Sequence, residues 1–288
     1  MDIQWYPGHM TKSIRMIEEQ LALVDIVIEL LDARVPRSSK NPDIDRLARN
    51  KKRILVLNKA DLADPVVTSL WAGLYQERGF HVITADSQSG KGLGLISDKC
   101  LELMAERIER EKKRGRIFVP VRAMVAGVPN VGKSTLINRY VGKSPAKTAN
   151  KPGVTKGRQW IRIKKGFELL DTPGILWPKL DDMEIGVNLA ITGAINDNIT
   201  DSIELCARLI EKLNKLYPSD LLKHYGFEAN ADAYSVLKEI SKKRRYEKKA
   251  GECDLERAAS AVIKDFRAGK LGCISLETPE RTKDGQKT

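Results

Sequence analysis

The chain has 288 residues, 42% hydrophobic and 31% charged, and a formal net charge of +12, which suits one large soluble domain followed by a smaller one. No stretch approaches the roughly 18–20 apolar residues needed to cross a bilayer, and MDIQWYPGHM lacks a basic segment leading into an apolar run, so a cytoplasmic protein without a membrane partner is expected. The four cysteines are widely spaced, with no Cys-x-x-Cys pair and no zinc-ligand pattern, and read as reduced thiols.

In chain order, MTKSIRMIEEQLALV reads as an amphipathic helix, and DIVIELLDA (25–33) and RILVLNKA (53–60) as buried strands. A helix near 66–78 precedes the strand FHVITADS (80–87), and residues 92–114 read as one long helix ending in a basic connector. VRAMVAGV (121–128) is a further strand, STLINRYVG its following helix, and QWIRIKK and FELLDT a pair of strands. Strands alternating with helices predict a doubly wound, mostly parallel α/β sheet. Beyond about residue 180 the pattern becomes helical in DMEIGVNLAITGAI, SIELCARLIEKLNKLY, AYSVLKEISKKRRYEKK and LERAASAVIKDFRAGKL, with CISLE as the one candidate strand. Two domains are expected, 1–180 and a smaller, mainly helical 181–288 with a loose C-terminal tail.

The motifs assign a chemistry to the first domain. In GVPNVGKS (127–134) the glycines let backbone N–H groups turn inward around phosphates, Lys133 meets the β/γ oxygens, and Ser134 offers a hydroxyl to Mg²⁺. Asn130, Val131, Gly132 and Thr135 complete this nucleotide-binding loop at the start of a helix. Asp171 of DTPG, at the end of a strand, can hold Mg²⁺ through water, and the Gly174 N–H can meet the γ-phosphate. Thr155 in KPGVTKG is the candidate for the remaining Mg²⁺ hydroxyl.

Base specificity falls to Asn58, Lys59 and Asp61. The Asp61 carboxylate can accept from guanine N1–H and the exocyclic amino group, a donor pair adenine lacks, which favours GTP over ATP. Asn58 can face the guanine O6/N7 edge, the Lys59 stem can pack on the ring, and Ser87 sits where a supporting loop would reach the base. This base-reading motif lies about seventy residues ahead of the phosphate loop, the reverse of the common order.

Charge points to a larger polyanion. From Lys112 to Lys165 there are fifteen Lys or Arg and no Asp or Glu, more than one triphosphate can use. KKRRYEKK (242–249) reads equally as an RNA contact or a solvated face, and Lys264, Arg267 and Lys270, spaced to share one side of a helix, are candidate RNA contacts. Where many GTPases place a Gln after DxxG to orient water, this chain has Ile175. His9, one of three histidines, either supplies the missing polar group or merely contacts RNA or caps the following helix.

The order NKAD, GVPNVGKS, PGVT, DTPG is that of the circularly permuted P-loop GTPases. With WYPGHM (5–10), DARVP (32–36), DTPGILWPK (171–179) and VIKDFRAGKLGCISLE (262–277), the chain resembles the ribosome biogenesis GTPase A (RbgA/YlqF) family over nearly its whole length. That resemblance implies GTP hydrolysis to GDP coupled to late maturation of the large ribosomal subunit, the 50S precursor with its rRNA and ribosomal proteins as partners. It also implies stimulation by that particle, use of K⁺ with Asn130 as a ligand, and His9 as the catalytic residue. The other reading of the same motifs is a nucleotide-gated RNA-binding or signalling adaptor in which hydrolysis is incidental.

Overall fold

The computed structural model describes residues 15, 17–142, 160–164, 166–170, 182–197, 200–217, 225–226, 232–248 and 252–279. His9, Thr155, Asp171 and Gly174 lie outside the described residues. The described residues up to 170, together with 277–279, form one compact unit, and those from 182 to 276 form another.

The first unit is built on six strands: β1 (Ile26–Asp32), β2 (Lys52–Asn58), β3 (His81–Thr84), β4 (Val121–Ala126), β5 (Trp160–Lys164) and β6 (Phe167–Leu170). Their order across the sheet is β3-β2-β1-β4-β6-β5, parallel at every pairing except β5 with β6. Every residue of β1 is buried, which is why it reads as a mostly apolar run, broken by Glu29 and Asp32, rather than an alternating one. Val27, Leu31, Leu55 and Met124 share one parity and pack against the helical residues 17–21 and the helices α1 (Pro42–Leu47) and α2 (Pro65–Glu77). Ile26, Ile28, Leu30, Ile54 and Val56, of the other parity, are equally buried, so both faces are covered. From β1 the chain runs outward through β2 to β3, then returns to place β4 on β1's other edge. The crevice at the carboxyl ends of β1 and β4 is thus the topological switch point, where open α/β sheets bind ligands.

Local chemistry explains departures from the expected elements. The single helix expected over 92–114 is two, α3 (Leu93–Leu103) and α4 (Ala105–Lys113), separated at Met104, whose φ of −105° and ψ of 5° are not helical. The helix α1 lies in a stretch for which the sequence pattern gave no element. Asn41 caps it by accepting from Asp43 N, and Pro42 occupies its first turn, where a missing N–H costs nothing. The phosphate-loop helix α5 spans Lys133–Val141.

The second unit holds α6 (Met183–Ile191), α7 (Ser202–Leu216), α8 (Ala233–Lys243) and α9 (Leu255–Arg267). Each starts from an aspartate, Asp182, Asp201, Asp232 or Asp254, whose side chain accepts from first-turn N–H groups. The helix expected to run through KKRRYEKK stops at Lys243, and Arg245 at φ 53° turns the chain away. CISLE is not a strand.

Asp265 on α9 is the polar hub of this unit. Buried, it accepts from Tyr225 Oη at 2.9 Å, Arg244 Nη2 at 2.8 Å and Lys270 Nζ at 3.1 Å. Burial alone would raise its pKa, but these donors hold it below the usual aspartate value. The stabilisation is therefore present above the ordinary aspartate pKa and lost as pH falls through the depressed one. Asp265→Asn should lower helical-unit stability by about 2 kcal/mol at neutral pH, with the deficit shrinking in acid. Denaturant titrations followed by circular dichroism check this, and a pH-independent deficit would contradict it.

Candidate functional site: a split nucleotide site at the switch point

The phosphate loop follows β4 and is shaped by close approaches that only glycine permits. Gly127 has φ 150°, and a Cβ there would meet Leu30 O at 2.6 Å. Gly132, at φ 106°, precedes α5, and a Cβ there would overlap Asn58 Nδ2. Asn130 takes a left-handed φ of 57°, which asparagine tolerates better than most residues. Lys133 is buried, and its ammonium donates to Gly127 O at 2.9 Å and Val128 O at 2.6 Å, holding it over the loop. Ser134 and Thr135 are exposed in the first turn of α5, where the helix dipole is positive. Val131 is buried beneath them.

The base-reading residues converge on the same loop from β2. Asn58, buried, donates from Nδ2 to Val131 O at 2.8 Å, while its Oδ1 accepts from Ser87 N at 3.0 Å and Ser87 Oγ at 2.7 Å. Beside the guanine contacts expected of them, Asn58 and Ser87 therefore bond to each other, and Asn58 to the phosphate loop. The two side chains tie three segments together: Oδ1 is filled by two donors, while the Nδ2 amino group carries a second N–H beyond the one given to Val131 O.

Lys59 follows at φ 59°, a strained conformation for a long side chain. Its ammonium is 3.0 Å from Asp32 Oδ2 at the end of β1, opposite Asn58 in the parallel register. Burial by itself would push Asp32 up, but the bidentate Arg34 guanidinium, at 2.9 and 2.8 Å, and then Lys59 hold it well below the carboxylate range. Asp61 is exposed. Its partial desolvation, followed by the charges of Asp86 and Asp32, raises its pKa against the pull of Arg34. Asp32 and Arg34 had no role in the sequence reading beyond DARVP, although a charged pair closing a fully buried strand was a usable signal.

A groove of about 550 Å³ lined by Ser89, Leu93, Asp98, Arg139 and Tyr140 contains none of the motif residues and lies outside this site.

The basic residues divide once side chains are placed. Arg114 and Arg116 both pair with Glu111, and Arg122 pairs with Glu168, so acids just outside the run 112–165 neutralise part of it. Lys264 is exposed on α9 and lines a groove of about 500 Å³ that also includes Asp197, Asp254 and Glu256. Arg267 donates to Ala190 O, Ile191 O and both Asp197 oxygens at 2.7–2.9 Å, capping the end of α6 with most of its N–H groups. Lys270 does not share the helix with these two. It follows the end of α9 and pairs with Asp265.

Comparison with known proteins places this architecture. The chain is 43% identical over 282 residues to ribosome biogenesis GTPase A of Priestia megaterium, covering 97% of this chain and 98% of that protein. It belongs to the ribosome biogenesis GTPase A family. The Thermotoga maritima member is 32% identical over 279 residues, covering 96% of this chain and 95% of that protein. The crystal structure of GNP-bound YlqF from T. maritima aligns with a TM-score of 0.70 and 28% identity over 93% of this chain and 99% of that one. Its GDP-bound counterpart aligns at 0.66 and 27%, covering 92% and 99%. The family model described as "50S ribosome-binding GTPase" matches residues 122–239. That match includes the phosphate loop but not the base-reading Asn58–Asp61, which the permuted order of this GTPase family places ahead of it.

Gly132→Ala tests the crossing of these two segments. A Cβ there collides with the Asn58 amide in a backbone conformation that already disfavours side chains, a strain of about 1–3 kcal/mol. Fluorescent GDP titration should show affinity falling at least about tenfold, and wild-type affinity would mean that the two segments do not touch.

Proposed function

We propose that this GTPase binds GTP in the crevice between β1 and β4, hydrolyses it on the large ribosomal subunit precursor, and assists late 50S assembly, with the bound nucleotide controlling its grip on rRNA. The observation that carries the reading is the Asn58 tie, which brings a base-reading corner and a phosphate loop from distant parts of the chain into one site. The names of the relatives support the ribosomal context.

In this reading Asp61 accepts from guanine N1–H and the exocyclic amine, and the Lys59 stem, steadied by Asp32, packs on the ring. The Lys133 ammonium turns from the loop carbonyls to the β/γ oxygens, and backbone N–H groups of Asn130 to Thr135 meet the phosphates. Ser134, a hard oxygen donor beside Lys133, fits a magnesium shell with Thr155 and, through water, Asp171. Asn130 is the candidate K⁺ ligand. Bound Mg²⁺ would neutralise charge on the phosphates. The Gly174 N–H senses the γ-phosphate, and the segment after it leads directly into the helical unit, so loss of that phosphate would release the grip on RNA. Lys264 is the candidate direct RNA contact, Arg267 supports it from the α6 cap, and Lys270 exchanges Asp265 for phosphate.

Because Ile175 cannot align water, His9 accepts its hydrogen bond once RNA has docked. Single-turnover and steady-state GTP hydrolysis with and without purified 50S particles should show strong, particle-specific stimulation. His9→Ala should keep GTP and particle binding and lose the stimulated rate on the order of 10²-fold. A particle-independent rate in the wild type would contradict the assembly reading, and a normal stimulated rate in His9→Ala would exclude its role.

A further inference from the structure

The loop between β1 and α1 is held at both ends. At its start, Asp32 N donates to Ser39 Oγ at 2.9 Å, Ser39 Oγ donates to Val35 O at 2.7 Å, and the Asp32 carboxylate holds Lys59. At its crest, the N–H groups of Arg37 and Ser38 donate to the carboxylate of Glu277, at 2.7 Å to Oε2 and 3.1 Å to Oε1, and the Ser38 hydroxyl donates to Oε1. Glu277 is itself fixed from a third side, because Trp71 Nε1 of α2 donates to its backbone carbonyl at 3.0 Å. Tyr75 Oη, one helical turn on, donates to Pro36 O at 3.2 Å. Arg34, Ser38 and Ser39 are fully buried, so the loop has little room to adopt a second conformation.

The electrostatics give Glu277 a specific task. The loop carries Arg34, Arg37 and Lys40, while Asp32 is already committed to Arg34 and Lys59. A carboxylate gripped by two backbone N–H groups and a hydroxyl makes charge-assisted bonds, roughly twice as strong as neutral ones. It comes from the opposite end of the chain, immediately after the helical unit's last residue, Leu276, yet it belongs to the nucleotide-binding unit.

We propose that Glu277 is a positioning residue for guanine recognition: it fixes the 33–39 loop, the loop fixes Asp32, and Asp32 fixes Lys59 against the base. The inference rests on the proposed role of Lys59 in packing on the guanine ring. Intact recognition of the base therefore requires the chain segment that follows the helical unit.

The test is a double-mutant cycle in the full chain, titrating fluorescent GDP and IDP into wild type, Glu277→Ala, Lys59→Ala and the double variant. Glu277→Ala should weaken GDP and IDP by the same factor, about three- to tenfold, because Lys59 packs on the ring face whereas the amino group that distinguishes the two bases is read by Asp61. The Glu277→Ala effect should vanish in the Lys59→Ala background, and Glu277→Gln, which keeps a carbonyl acceptor, should recover part of the loss. Pyrophosphate affinity should not change, which separates this role from general destabilisation. If Lys59→Ala weakens GDP but Glu277→Ala does not, or if the two losses simply multiply, the positioning role is overturned while the base-site reading survives. If Lys59→Ala binds GDP as the wild type does, the base-site reading fails and this inference fails with it.

Discussion

One buried amide, Asn58, holds the nucleotide site together. Its Nδ2 reaches Val131 O in the phosphate loop, and its Oδ1 takes both donors of Ser87 after β3. Removing it would leave buried polar groups of two other segments without that partner, at a cost of about 1–3 kcal/mol each. Gly132 is glycine because the amide passes where a side chain would stand. The tie also explains why permuting the chain is tolerated. Asn58 and Val131 are far apart in sequence, yet a parallel sheet fixes where its strand ends lie whatever the order in which they are joined.

Around that tie, the sheet carries more buried charge than an apolar core would require. Glu29, wholly buried in the central strand, meets the Arg53 guanidinium, which also pairs with Asp45 and lies 5.2 Å from the Phe80 ring centroid. Burial raises the Glu29 pKa against the pull of Arg53 and Lys40. Three residues later, on the opposite face, Asp32 is held ionised by Arg34 and Lys59. Buried ion pairs are weak contributors to stability, because desolvation offsets much of their attraction. Their value here is geometric. They fix the outlet of β1, and through it the strained Lys59, which hydrophobic side chains of equal volume could not orient.

Much of this was legible in the sequence because it is local. Apolar runs bounded by turn residues marked β1, β2 and β4, and the glycine spacing of 127–134 marked the phosphate loop together with the helix it opens. The misreadings have long-range causes or overlooked caps. Residues 92–114 keep helical periodicity across the break at Met104, and Asn41-Pro42, a helix start, looks the same as a turn. Arg267, spaced as an RNA contact, also caps the carbonyl end of α6, which its local pattern does not show, and Glu277 has no local pattern at all, since its partners lie at Arg37, Ser38 and Trp71. The motif points Asn58 to the base, but its further bonds to Ser87 and Val131 join distant segments and no local pattern marks them.

The base-reading and phosphate-reading halves are one mechanical unit joined at Asn58. Calorimetric titration of Asn58→Ala with GDP and, separately, with pyrophosphate tests it most directly, because pyrophosphate has no base for Asn58 to read. The variant should lose affinity for both, with pyrophosphate weakened about tenfold or more. Unchanged pyrophosphate binding beside weakened GDP binding would place Asn58 on the base alone and contradict it.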